Sequence, residues 1–321
     1  MSIPPDKPVL SLLRYRPWKG RFRTPFAASE AIARVSLGIM FRRRLFWALY
    51  ALSIVIFLFF FYGQYLQVWL EQKLTDETIR VGGLFPRNVR PDAILKALRT
   101  ALQLNGSAET YANFIWFEGY IAVVILALVG SVIVGNDFHH NSLPFYFSKP
   151  LARRHYVLGK CMAIAAFVNL MTTIPAVVLF FEYGFIESWQ YWFDEIRLLG
   201  GILIYGSVLT VSLSLLLMAT ATMVRRTVPL VMVWTTMFVL ARLIQRWLVD
   251  GLRMSERWRL IDLWNDMYLV GQWAMGTAHD QLRPRSQIQP AFAEAALAVA
   301  LVVVGCLVYL RRKLRNIDVM N

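Results

Sequence analysis

Six blocks of apolar residues, each about twenty residues long, constrain the fold of this chain more than any other feature. An α-helix rises about 1.5 Å per residue, so roughly 20 apolar residues are needed to cross the hydrocarbon core of a bilayer. Charged residues make up only 17% of the chain, against about a quarter in soluble domains. The sequence therefore predicts an all-α, polytopic membrane protein. The predicted spans are about 45–66, 115–135, 161–183, 200–223, 227–248 and 291–310.

The spans divide the chain into three predicted parts: a lead (1–44), a six-span domain (45–311) and a tail (312–321). The lead lacks the short charged start and the small-residue cleavage site of a signal peptide. Near its end, Ile32 and Ile39 lie on one helical face, and a run of arginines follows. This pattern predicts a helix that lies in the membrane interface and turns into the first span.

The placement of Lys and Arg predicts the orientation of the spans. With the N-terminus inside, more than half of the 34 Lys and Arg residues lie on the inner side, and the short outer loop 184–199 is net acidic. The positive-inside rule then places both termini in the cytoplasm. The predicted membrane is the plasma membrane, which is the inner membrane of a bacterium. The net charge of +14 matches anionic lipid headgroups, so the bilayer rather than nucleic acid is the expected partner.

Two long outer loops carry amphipathic stretches. In the second loop, Leu260, Trp264 and Met267 form an apolar helical face, and Asp262 with Asp266 forms a polar one. Such a helix either lies at the headgroup level or re-enters the membrane, or it belongs to a folded cap over the bundle; the sequence leaves these alternatives open. The two loops span residues 67–114 and 249–290.

Motifs for catalysis or for a bound cofactor are not found in the sequence. Gly159-Lys160 resembles the end of a nucleotide-binding loop, but Cys161 follows it and Arg154 stands where the motif requires glycine. His139-His140 lacks the glutamate of a zinc protease, and the two cysteines have no metal-ligand spacing. We therefore expect a chain that is not an enzyme and that binds no cofactor of its own.

Ionisable side chains near the outer ends of the spans form a second candidate site. Charged groups in lipid are costly unless they are paired or hydrated, so a ring of Glu–Arg contacts is one interpretation, and it would serve as an outer gate. The alternative is that each side chain extends separately towards the headgroups. This outer polar cluster consists of Glu118, Glu182, Arg242, Arg246 and Glu294.

Polar residues in the middle of the third span form a third candidate site. Asn169, Thr172 and Thr173 lie at mid-membrane depth in the predicted span. Polar groups at this depth usually face protein or a water-filled path. We therefore treat these three as candidate pathway residues.

The inner loop between the second and third spans is the most informative segment. Ser142 is suited to cap a short helix, Pro144 suits its first turn and Pro150 ends it. This helix carries three consecutive aromatic side chains, and two arrangements are open. Either at least one of them projects towards water or a partner protein, as an interface anchor does, or all of them pack against the ends of the spans. These aromatics are Phe145, Tyr146 and Phe147.

The same loop carries a family resemblance. Its residue pattern resembles that of the permease subunits of ATP-binding-cassette (ABC) transporters of the type-2 membrane family. The pattern consists of an acidic residue, a polar helix start, a leucine, a Ser-x-Pro turn, an arginine and a Gly-Lys pair that enters a span. Asn141-Ser142 stands where that family often has Gly-Thr. The layout of an interfacial helix, six spans and membrane-associated helices before the last span is also similar. The matching positions are Asp137, Leu143, Ser148, Pro150, Arg153, Gly159 and Lys160.

The resemblance implies a permease subunit, an exporter, that works with a second permease copy or paralogue and with a separate cytoplasmic ABC ATPase. ATP and Mg would bind to the ATPase subunit. The loop 136–160 would be the coupling segment, and nucleotide-driven closure of the ATPase would switch the bundle between two states. The implied coupling residues are Asp137, Ser142, Leu143, Phe145, Tyr146, Phe147, Pro150 and Arg153.

Other functions remain as alternatives. A membrane complex that uses ATP hydrolysis to transmit force or to support maturation fits the same resemblance. An ion-coupled secondary transporter would need mid-membrane charges and inverted repeats with broken helices, which are not evident. A membrane-embedded transferase or protease lacks its catalytic residues. The substrate, and whether the permease pair is a homodimer or a heterodimer, stay open.

Overall fold

The structure, a computed structural model, is helical throughout the part that it describes. In the described ranges every regular element is a helix, so the all-α prediction is confirmed. The main helices are α1 (Pro25–Phe41), α2 (Arg44–Thr75), α3 (Ala108–His139), α4 (Arg153–Ile186), α5 (Ile196–Val224), α6 (Thr227–Gly251), α7 (Leu263–Met275) and α8 (Phe292–Arg315). The described residues are 25–75, 104–140, 142–143, 152–277 and 289–315.

Six of these helices are long and apolar enough to cross a bilayer, which confirms the predicted number of spans. They are α3, α4, α5, α6, α8 and the part Arg44–Trp69 of α2. Each contains its predicted block to within one residue, but several continue further. For example, α4 begins at Arg153 rather than near residue 161, because no helix-breaking residue separates the polar first turns from the apolar block.

Two of the spanning helices form the centre of the bundle. In their most apolar stretches, α3 is 72% buried and α5 is 67% buried, whereas the figures for α2 and α8 are 17% each. The buried core includes Ile125 and Leu126 of α3 and Leu213 and Leu217 of α5, and Leu217 packs on Gly130 of α3. The outer helices therefore present apolar side chains outwards, as helices in contact with lipid do.

The helix α4 is interrupted at Thr172. Pro175 has no N–H group for the carbonyl of Met171, and the backbone of Thr172 departs from helical geometry with φ −111° and ψ −65°. The carbonyl of Val168 accepts from both the N–H of Thr172 at 2.9 Å and the Thr172 hydroxyl at 2.8 Å, so the Thr172 side chain is hydrogen-bonded within its own helix.

The helix α7 lies between the spanning helices rather than above their ends. Trp264, near its start, contacts Gly119 and Phe238. Gly119 is eleven residues from the start of α3, which corresponds to a depth of about 16 Å along that helix. Near the other end of α7, Met275 packs against Gly201. Of the alternatives for the second outer loop, this packing favours a re-entrant helix over a cap; most of the first outer loop lies outside the described residues.

Candidate functional site at the basic end of the helix bundle

One end of the bundle carries a concentration of basic side chains, and we call it the basic end. It is the end at which α2, α4 and α6 begin and at which α3, α5 and α8 finish; the other end is the opposite end. Its basic residues are Arg42, Arg43, Arg44, Arg153, Arg154, Lys160, Arg225, Arg226, Arg311, Arg312, Lys313 and Arg315.

An ion pair joins α3 to α4 at the basic end. The ammonium of Lys160 lies 2.8 Å from a carboxylate oxygen of Asp137, and the Tyr156 hydroxyl donates to the same oxygen at 2.8 Å. The Lys160 side chain is 4% exposed and that of Asp137 is 16% exposed. Because partners of opposite charge are held together away from water, this junction fixes the register of the two helices that carry the predicted coupling loop.

The last turns of α3 are widened into a π-helical turn, Ser131–Gly135. Lys160 also donates to the carbonyl of Ile133 within this turn. The Ser131 hydroxyl hydrogen-bonds the Thr227 hydroxyl at 2.6 Å, and this bond joins α3 to the start of α6. Turns of this kind inside α-helices often occur at functional sites, and here the turn meets both α4 and α6.

The helix α1 is fixed to α4 and α2 at the same end. The Ser29 hydroxyl donates to the carbonyl of His155 at 3.1 Å, and the indole of Trp47 donates to the carbonyl of Phe41 at 2.8 Å. A Cβ at Gly159 would stand 2.7 Å from the carbonyl oxygen of Ser29. The close approach of α1 to α4 therefore requires glycine at that position.

The described coupling residues all lie at the basic end. The backbone N–H of Ser142 donates to the carbonyl of Asp137 at 2.9 Å, and Leu143 is buried. Arg153 donates to the carbonyl of Arg315 at 3.1 Å, which joins α4 to α8. The remaining coupling residues, Phe145, Tyr146, Phe147 and Pro150, lie outside the described residues.

The outer polar cluster does not form the Glu–Arg ring that was one interpretation of the sequence. The Ser53 hydroxyl donates to Glu118, whereas Arg242 donates to the Tyr120 hydroxyl at 2.6 Å and lies over the ring of Trp116. Residues two apart on a helix point about 200° from each other. Glu118 therefore faces away from the side of α3 that Arg242 contacts.

The other three members of that cluster are also separate. Glu294 accepts from Arg257 at 3.0 Å, and Arg246 is exposed. Glu182 lies against an apolar hollow lined by Phe61 and Phe185. None of the five has another member as its ion-pair partner. They do not all extend towards the headgroups either, since Glu118 is fully buried.

The candidate pathway residues hold α4 against α5. The side-chain amide of Asn169 donates to the Thr210 hydroxyl at 3.0 Å, and Gly206 packs directly on Thr173. Thr172 is fully buried and bonds within its own helix. In this structure Asn169 and Thr173 therefore make contacts between α4 and α5, while Thr172 bonds within α4.

The sequence predicts a polar face of α7 with Asp262 and Asp266, and the structure buries both carboxyl groups. Asp262 caps α7 by accepting from the N–H of Trp264 at 3.1 Å. Asp266 is fully buried, and neither of its carboxyl oxygens has a hydrogen-bond partner among the described residues. Burial, with a smaller contribution from the charge of Asp262, raises the pKa of Asp266 to about 8. Burial likewise raises the pKa of Asp262, against hydrogen bonds and the charge of Arg242.

Sequence reasoning missed the partner of Lys160. The Gly-Lys pair draws attention as a possible nucleotide motif, whereas the signal for an ion pair is an acidic residue at the end of one span and a lysine in the first turns of the next. Among the described residues, no group of three or more His, Cys, Asp and Glu side chains is placed to hold a metal ion.

Comparisons with known proteins do not identify a family, so the class of protein is read from the fold alone. No protein-family model matches the sequence, and no curated protein matches it. In the residues that the structure describes, the chain is all-helical and has six helices long and apolar enough to cross a membrane, as expected of a multi-pass membrane protein.

Proposed function

We propose that the chain is the permease subunit of an ATP-driven ABC exporter and that a separate ATPase subunit drives it through the loop 136–160. The observation that carries the proposal is the Asp137–Lys160 ion pair, which joins the two helices at the base of that loop. The resemblance of the loop to type-2 permeases supplies the class of partner.

The contacts at the basic end would allow a movement of the loop 136–160, driven by the ATPase, to be passed on to several helices. A push on the loop would act on α3 and α4 together, because the ion pair and the Tyr156 hydrogen bond hold them in register. The Ser29 contact extends the unit to α1, and the Ser131–Thr227 bond extends it to α6. Rigid-body movement of packed helices is a common way in which transporters switch between states.

The expected partners follow from this division of roles. The sequence has no nucleotide-binding loop of its own, so ATP and Mg would bind to the ATPase. A second permease copy or paralogue would complete the transport path, since the candidate pathway residues pack within one chain. The plasma membrane, with the basic end on the cytoplasmic side, is the location that this arrangement requires.

A second candidate is a membrane component that transmits force or supports maturation and moves no soluble substrate. The observation that favours it is the packing of Asn169 and Thr173 against α5, which uses the mid-membrane polar groups for helix contacts. Both candidates need the same ATPase contact, and an assay of substrate movement by the reconstituted complex separates them.

The side of the membrane that the loop faces is tested first. In a Cys161→Ser, Cys306→Ser background, a cysteine at His140 is labelled with a membrane-impermeant maleimide in intact cells and in inverted vesicles. We expect labelling in inverted vesicles only. Labelling in intact cells would place the loop outside and overturn the proposal.

The ATPase contact is tested by co-expression with an ATPase encoded beside the gene for this chain. Replacing Phe145, Tyr146 and Phe147 by Ala should abolish co-purification and the stimulation of ATP hydrolysis. The matched control replaces Trp189 and Phe193, exposed aromatics at the opposite end, and should change neither. A triple variant that still binds and still stimulates hydrolysis would show that the loop is not the coupling segment.

A further inference from the structure

A groove of about 770 Å³ lies between α4, α5 and α8 and reaches the basic end. Its walls are apolar, and several of its side chains are exposed on the outer surface of the bundle, including Leu158, Val211 and Leu307. The volume is in the range of small-molecule binding sites, about 300–1,000 Å³. A ligand in this groove would therefore be reached from the lipid phase.

The charged side chains that line the groove are all arginines. Arg153 and Arg154 come from the start of α4, and Arg311 and Arg315 come from the end of α8. The hydrogen bond from Arg153 to the Arg315 carbonyl holds the two helix ends together, and no acidic residue lines the groove. One end of the groove is therefore cationic, and the rest is mostly apolar, with Thr210 and Ser214 as its uncharged polar lining residues.

The length of the groove matches one leaflet of a bilayer. Its lining residues on α4 extend from Arg153 to Ala165, and twelve residues of helical rise correspond to about 18 Å. Half of a hydrocarbon core of about 30 Å is close to that length. The groove thus has a headgroup end at the arginines and an acyl-chain end near the middle of the membrane.

Charge complementarity selects among lipids. Guanidinium groups bind phosphate oxygens in bidentate fashion, and a cluster of arginines favours a lipid with net negative charge over a zwitterionic one. We propose that this groove binds one anionic phospholipid, with its phosphate at Arg154 and Arg311 and an acyl chain between α4, α5 and α8. The proposal does not depend on the transport function.

The test uses the purified full-length chain in a neutral detergent, with dioleoyl phosphatidylglycerol as the probe. We expect bound lipid by native mass spectrometry, and an affinity reduced about tenfold or more in the double variant Arg154→Gln, Arg311→Gln. The control Arg226→Gln, Arg312→Gln removes the same charge from exposed basic-end positions outside the groove. It should bind the lipid with unchanged affinity.

A second pair of variants tests the acyl-chain end. Ala165→Phe fills the groove and should abolish phosphatidylglycerol binding, while the helical circular dichroism and the elution volume stay unchanged. Ala300→Phe adds the same ring to an exposed position on α8 outside the groove and should leave binding intact.

Several outcomes would overturn the proposal. Equal binding of dioleoyl phosphatidylcholine would show that the arginines do not select the lipid. Displacement of phosphatidylglycerol by inorganic phosphate alone would indicate a simple anion site. Lipid binding that rises when residues 316–321 are deleted would show that the tail occupies the groove. A change from dimer to monomer in Ala165→Phe would show that a second copy occupies it.

Discussion

Gly135 in the last turns of α3 lies directly against the backbone of Arg225 at the end of α5. A Cβ at Gly135 would stand 2.9 Å from the carbonyl oxygen of Arg225. Arg225 itself has a left-handed backbone, with φ 58°, at the tight turn between α5 and α6. The end of α3 and this turn therefore fit together through backbone atoms that no rotamer change can move.

We expect Gly135→Ala to destabilise the protein by about 1–3 kcal/mol, since the added methyl group forces the two backbones apart. The measurement is the unfolding of the purified chain in detergent by heat or denaturant. Gly305→Ala is the matched control, because a Cβ there meets nothing within 4 Å and alanine favours a helix over glycine. Equal stability of the two variants would mean that α3 and the turn do not pack as described.

The Asp137–Lys160 pair can be tested by a double-mutant cycle. Lys160→Met leaves the buried carboxylate without its cation and should cost about 3–5 kcal/mol, whereas the double variant with Asp137→Asn should recover much of that loss. Thermal unfolding in detergent measures all four proteins. Additive effects of the two substitutions would show that the side chains do not interact.

The cation of Arg242 provides a third test. Its contacts are with the hydroxyl of Tyr120 and the ring of Trp116, so a cycle of Arg242→Gln with Tyr120→Phe should give a coupling energy of about 1–2 kcal/mol. A cycle of Arg242→Gln with Glu118→Gln should give a value near zero. Coupling to Glu118 instead would restore the interpretation of an outer ring of opposite charges.

The sequence predicts the elements well because each span is a long and mostly apolar block, and such a block has few other ways to satisfy its backbone in lipid. The sequence does not predict which helix, or lipid, each face of a helix contacts. Trp264 and Met267 form the same apolar stripe whether α7 lies on lipid or among other helices. The structure places that stripe against Gly119 and against the core.

The candidate sites differ in how much of their geometry could be predicted from the sequence. The 200° between Glu118 and Tyr120 follows from helix geometry, but which helix meets which side depends on the packing of all six spans. Lys160 and Asp137 are close because a loop returns the chain beside itself, and only the fold reveals that the last turns of α3 face the first turns of α4.

Asp266 has a consequence for the dependence of stability on pH. Its unfolded form titrates near the usual pKa of about 4, whereas the buried carboxyl keeps its proton up to a pKa of about 8. Between these values the folded state binds more protons than the unfolded state, so the free energy of unfolding falls as the pH rises. The stabilisation that the proton provides is complete below about pH 4 and is lost by about pH 8.

We therefore expect Asp266→Asn, which cannot ionise, to be more stable than the natural chain at pH 8 by about 2 kcal/mol or more, with a smaller difference at pH 5. Unfolding curves in detergent at the two pH values give the comparison. Glu256→Gln removes a carboxylate from an exposed position in the same loop and should leave the pH dependence unchanged. The nearby groups Asp262, Arg242 and Arg246 are retained in both variants, and Asp262 contributes a slope of its own because burial raises its pKa as well. A pH slope that is as steep in Asp266→Asn as in the natural chain would contradict the assignment.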